Sequence, residues 1–179
     1  MAIKAKRKGK KSKKQTAPKL SSSDKALRQQ LKELLTWAGA HVDWQSSVAD
    51  VPVEKRGQKA AGLAHSPWEL LEHTRIAQRD ILEFCIDAKY KSREWPGDYW
   101  PKTPAPAEGA WEEAVESFFA DTRAVAKLIE DPRTDLFAKI PHGTGQTILR
   151  EAVLLADHNA YHLGQFVLVL RALGAWKET

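Results

Sequence analysis

Between two strongly helical stretches of this chain lies a connection of about 25 residues that cannot itself be a helix. It carries Trp95, Pro96, Tyr99, Trp100, Pro101, Pro104 and Pro106. Each proline lacks an amide N–H and biases the residue before it away from helical backbone. The same prolines argue against a central β-strand. Fully extended, at about 3.3 Å per residue, such a segment reaches beyond the length of a helical bundle. It can carry the chain from one end of a bundle to the other, leaving the helices on either side parallel. The expectation is an all-α, four-helix bundle of up-down-down-up order with a long crossover, not a simple up-down-up-down bundle.

Four helical patterns surround this connection. The first spans about Ser21 to Val48, with capping-box-like spacing at Ser21 and Asp24. Its apolar stripe reads Leu27, Leu31, Leu34, Ala38, His41, Gln45 and Val48, which is the spacing of a bundle seam. The second begins at Ser66-Pro67-Trp68-Glu69, where Ser66 caps, Pro67 takes the first helical position and Glu69 reaches back to the cap. Its stripe is Leu70, His73, Ala77, Ile81 (or Asp80) and Phe84. The third covers about Ala110 to Glu130 and turns Trp111, Val115, Phe118, Thr122, Val125 and Ile129 inward, ending at Asp131-Pro132. The fourth runs from about Thr147 to Leu173, with Gly174 as its stop. Asp135 to Gln146 reads as an irregular connection with room for a short hairpin.

The net charge of +5 is the sum of two unlike regions. Residues 1–19 hold nine Lys/Arg and no acid, whereas the rest of the chain holds 19 Lys/Arg against 23 Asp/Glu. A Lys-rich segment with so few large apolar groups cannot offset the entropy of ordering, so residues 1–20 are expected to be a disordered basic tail and 21–176 the folded domain. Such an arm can contact nucleic acid phosphates. No aromatic residue is interleaved with the lysines, and a solubilising extension is the preferred reading. The longest apolar run near the C-terminus, Phe166 to Leu170, is far short of the roughly 20 residues that span a bilayer. The single cysteine, Cys85, excludes an internal disulfide and fits a cytoplasmic setting.

Three histidines occupy inward positions that aliphatic residues would ordinarily fill. His158 and His162 are four apart on the last helix and therefore share a face. His73 sits on the stripe of the second. Each buried imidazole needs a polar partner; a core hydrogen bond for each is one reading, and one shared metal ion that serves all three is the preferred one. Three neutral imidazoles with a further position open are a catalytic type of site, and Zn, Ni or Fe would each suit them.

His65-Ser66-Pro67-Trp68-Glu69-Leu70-Leu71-Glu72-His73 with Ile76-Ala77-Gln78-Arg79-Asp80-Ile81 resembles the second helix of the DinB-like (DinB/YfiT) superfamily. Asp157-His158-Asn159-Ala160-Tyr161-His162-Leu163-Gly164-Gln165 resembles its last helix, with the HxxxHxxQ pattern. The resemblance covers about residues 24–176 and implies a four-helix bundle holding a divalent metal through one histidine of helix two and two of helix four. Those positions here are His73, His158 and His162. Among relatives are thiol-dependent transferases and isomerases that use low-molecular-weight thiols, and a homodimer is compatible with the resemblance.

Around that ligand set, Gln165 lies one turn beyond His162 and is a candidate to hold a water on the metal, or to bond across helices. Glu69 is a candidate to orient His73, though capping is the simpler role. His41 is a candidate lining residue. His65 and His142 are expected on the surface or in loops, and Cys85 as a small core residue. The functional expectation is a metal-dependent enzyme, of the thiol S-transferase/isomerase or hydrolase type, acting on a small-molecule substrate. The reacting group would be a water or substrate thiolate with its pKa lowered by the metal. The competing readings are a non-catalytic metal-binding or stress-response protein and, behind it, a nucleic-acid-associated protein acting through residues 1–19. The crossover from Trp95 to Trp100 and the loop around His142 are candidates to cover the bundle mouth.

Overall fold

The computed structural model describes residues 18–36 and 39–177. The basic segment 1–17 lies outside the described residues. Five α-helices follow in order: α1 (Ser22–Thr36), α2 (Trp44–Ala49), α3 (Pro67–Ile86), α4 (Ala110–Glu130) and α5 (Ile148–Ala172). Among the described residues no strand forms. One isolated bridge pairs Lys139 with Thr147, and Ile140 N–H donates to the Gln146 carbonyl, which closes the short hairpin expected before α5.

The long helices form the bundle. α3 packs against both α4 and α5, and α1 packs against α4 and α5 from the other side. Gln78 and Arg79 of α3 bond to Phe118 and Asp121 of α4. Trp68, Leu70 and Leu71 near the start of α3 share a cluster with Trp111 and Ala114 near the start of α4, and Leu82 near its end shares one with Val125 and Ile129. These two helices therefore run in the same direction. α5 opposes α3, because Asn159 and His162 pair with Gln78 and His73 in reverse order.

Local chemistry explains the boundaries. Ser66 accepts from Glu69 N–H at 3.1 Å, and Ser66 N–H donates to Glu69 Oε2 at 2.7 Å, a complete capping box with Pro67 in the first turn. Thr147 caps α5 by accepting from Arg150 N–H at 3.2 Å. At the other end Gly174 adopts φ +65°, a left-handed conformation that lets Ala175 N–H reach the Leu170 carbonyl.

The single first helix expected over Ser21–Val48 is instead two. α1 ends at Thr36, bends occupy Gly39–His41, and α2 begins at Trp44. Asp43 is the cause: its carboxylate accepts from Ser46 N–H at 2.7 Å, and its extended backbone (φ −101°, ψ 166°) cannot continue a helix arriving from α1. His41 consequently leaves the seam. It is exposed, and its Nδ1 lies 2.7 Å from the Val42 carbonyl. Leu34 is also 63% exposed, and Gln45 faces solvent, while Trp44 takes the inward place. Ala38 lies outside the described residues.

Two apolar clusters fill the bundle. One gathers Trp44, Trp68, Leu71, Phe118, Leu163 and Phe166, and the other Leu31, Leu82, Val125, Ile129, Leu136 and Leu155. Arg28 ties α1 to the end of α4. Its guanidinium donates to the carbonyls of Ile129 (2.6 Å), Asp131 (3.0 Å) and Thr134 (2.8 Å), and only 6% of the residue is exposed. Arg28→Ala leaves these carbonyls without their donor and is expected to cost about 3 kcal/mol. Urea denaturation checks this; a loss under about 1 kcal/mol would show that water replaces the guanidinium freely.

Candidate metal centre

His73 lies in the second turn of α3, where the stripe that buries Leu70 and Ala77 also carries its imidazole inward; the residue is 3% exposed. His158 and His162 project from the middle of α5 toward it, His162 buried and His158 half-buried. One ligand atom from each of the three histidines lies within 4.8 Å of the others. His73 Nε2 and His162 Nε2 are 3.2 Å apart.

The outer nitrogens decide what those inner nitrogens carry. His73 Nδ1 is 2.8 Å from the Tyr99 carbonyl, which can only accept, so the proton sits on Nδ1 and Nε2 presents a lone pair. His162 Nδ1 is 2.8 Å from Gln165 Oε1, and Gln165 Nε2 donates to the Tyr161 hydroxyl at 3.1 Å. With Gln165 so turned, His162 also carries its proton on Nδ1. Two lone pairs then face each other. Protonation is a poor remedy, because burial lowers the pKa of all three rings. His158 is pushed down to about 4 by burial and then by His73, and His162 to about 4 by burial and then by its two neighbours. Burial lowers His73 as well, against the opposing pull of the Tyr99 carbonyl. Three imidazoles that burial keeps neutral, two of them with lone pairs turned toward each other, form a donor set suited to a divalent transition metal ion.

The crossover supplies the cover. Trp100 stacks on His73 with centroids 4.0 Å apart and planes 7° from parallel. Its other neighbour is His65, stacked at 4.1 Å and 13°. His65 is in a loop, as its place before the α3 cap predicts, but it is half-buried against Trp100. Trp95 meets His73 edge-on at 6.5 Å and remains 71% exposed. Asp80 anchors the crossover from below. It lies seven residues beyond His73 on α3 and accepts from the hydroxyls of Tyr99 (2.7 Å) and Tyr90 (3.0 Å), with Arg93 beside it at 3.4 Å. One residue thus sets the height of the Tyr99 carbonyl that holds His73.

Gln165 turns its Oε1 to His162 Nδ1 within α5. Glu69 is committed to Ser66 and to Lys59 (3.0 Å), as its capping role requires. His41 lines a different cavity, about 420 Å³, with Leu35, Trp44 and Phe119. His142 is exposed, 2.9 Å from the Phe84 carbonyl. Cys85 is half-buried, and burial pushes its thiol up to about 12, so it is no nucleophile near neutral pH. Sequence reasoning missed the buried amides Gln78 and Asn159. Their signal was polar side chains on inward lines of α3 and α5.

The chain belongs to the DinB superfamily, whose family model matches residues 36–166. That family is metal-binding, and the three-histidine cluster is compatible with it. No curated protein and no solved structure matches the chain. No helix among the described residues is long and apolar enough to cross a membrane.

Tyr99→Phe removes a hydrogen bond to a carboxylate and is expected to cost about 1.5–3 kcal/mol. Amide exchange across residues 90–103 should quicken while the α4 core stays protected. Unchanged exchange in the crossover would show that Asp80 does not hold it down.

Proposed function

We propose that this chain binds one divalent metal ion through His73, His158 and His162 and is a metal-dependent enzyme. The observation that carries this is the 3.2 Å approach of two imidazole nitrogens whose protons are held on the opposite side of each ring. A divalent cation so held supplies Lewis acidity, lowering the pKa of a water or thiol to near neutrality. The residues of the chain do the rest. The Tyr99 carbonyl and Gln165 fix the tautomers of His73 and His162. Trp100 covers one face of His73 and keeps water from it. Trp95 and Tyr161, 71% and 63% exposed, give the substrate apolar flanks on the crossover and on α5.

The substrate is proposed to be a small molecule, and the reaction either S-transfer or isomerisation with a low-molecular-weight thiol, or hydrolysis. Family membership supports the metal. The choice of reaction rests on the resemblance of the two histidine motifs to thiol-dependent relatives. Residues 21–176 form the proposed catalytic domain, in the cytoplasm, with residues 1–20 as a solubilising arm.

Chelator-treated, tag-free protein is titrated with Zn²⁺, Ni²⁺ and Fe²⁺, with His158→Ala beside it. About one ion per chain is expected in the wild type, by the one-site geometry, and none in the variant. Loaded protein is then assayed for conjugation of a thiol to an electrophile and for ester and amide hydrolysis. Stoichiometric binding retained by His158→Ala contradicts the ligand assignment. Binding without turnover in either assay favours a non-catalytic metal-binding protein.

A further inference from the structure

His158 differs from its two partners in one respect. Its Nδ1 is buried and has no hydrogen-bond partner at ordinary geometry. The next residue carries a second orphan, the Oδ1 of Asn159, which is only 7% exposed. The Asn159 side chain pulls the His158 pKa up, against the larger downward push of burial. One atom is a potential N–H donor and the other an acceptor.

The orientation of the Asn159 amide is set from elsewhere in the core. The Phe118 carbonyl on α4 can only accept, and Gln78 Nε2 donates to it at 2.6 Å. Gln78 Oε1 is therefore turned away from Phe118, and it accepts from Asn159 Nδ2 at 2.9 Å. That leaves Asn159 Oδ1 as the end of the chain. Thr122 sits alongside, its hydroxyl 3.2 Å from Gln78 Oε1 and 3.0 Å from the Phe118 carbonyl. Gln78 is wholly buried, and Thr122 is 6% exposed. Water has little access to correct a wrong amide orientation at these sites, and a flip of either amide sets like atoms against each other.

We propose that Phe118, Gln78 and Asn159 form a relay that fixes His158 with its proton on Nδ1, making Asn159 and Gln78 positioning residues for the third imidazole. Each of the three histidines then has its outer nitrogen on an oxygen: the Tyr99 carbonyl, Gln165 Oε1 and Asn159 Oδ1. Each turns Nε2 toward the common centre. The relay spans α4, α3 and α5, so the orientation of His158 depends on how three helices are packed. As far as it concerns metal affinity, this inference rests on the proposed metal centre. The tautomer itself does not.

The first test is the His158 tautomer in metal-free, ¹⁵N-labelled wild-type protein, read by long-range ¹H–¹⁵N correlation. The Nδ1–H form is expected; an Nε2–H form overturns the relay. Asn159→Ala should shift His158 toward a mixture and weaken zinc binding about 10–100-fold. Asn159→Asp keeps an acceptor for His158 while losing the donor to Gln78, so it should restore the tautomer and the affinity even if it is less stable. Val125→Ala cuts the buried core of α4 without touching a hydrogen bond of the relay, and should leave zinc affinity within about two-fold while lowering the urea midpoint. Equal damage from Asn159→Asp and Asn159→Ala, or an affinity loss in Val125→Ala matching that of Asn159→Ala, would reduce Asn159 to a packing role. A wild type that binds no zinc, yet shows the tautomer shift in Asn159→Ala, keeps the relay and removes the metal reading.

Discussion

Two imidazole nitrogens held 3.2 Å apart, each with its proton on the far side of its ring, are the constraint on which the site depends. Such an arrangement is unfavourable by itself and is kept because each ring is held from behind. His73 is held by a carbonyl of the crossover and His162 by a glutamine one turn along its own helix. The crossover carbonyl is in place because Tyr99 is tied to Asp80. A chain that needed only a stable bundle would place leucine at these positions and bury more apolar surface at less cost. The polar chemistry concentrated between α3 and α5 is the mark of a site.

The same logic extends through the core. Gln78, Thr122 and Asn159 lie at one level of α3, α4 and α5, between the two apolar clusters. Their hydrogen bonds are directional, so they resist axial sliding of the helices more than apolar side chains alone would. The parallel arrangement of α3 and α4 brings Phe118 to the height of Gln78. It requires a connection that runs the length of the bundle, and that connection is the segment that covers His73. Architecture and site are therefore coupled through one stretch of chain.

Much of this was legible in the sequence because it rests on local chemistry. The Ser66–Glu69 capping box, the prolines of the crossover, Gly174 and the histidine spacing each act over a few residues, and α3 begins and α5 ends where the first and third of those signals stand. The periodic stripe through His41 predicts one long first helix, and the cap at Asp43, whose short side chain accepts from the Ser46 amide, divides it. The Trp100 stack on His73 and His65 was not readable, since it brings together residues far apart in the chain. The amide relay was hidden for the same reason. Gln165 was noticed for its spacing, yet only the structure turns it back onto His162.

The central claim is that three imidazoles converge on one ion. Metal-edge X-ray absorption on zinc-loaded protein addresses it most directly. The account predicts three imidazole nitrogens at about 2.0–2.1 Å, with the multiple-scattering signature of histidine rings, and at least one further light-atom ligand. A spectrum dominated by carboxylate or water oxygen, with one imidazole or none, would contradict it.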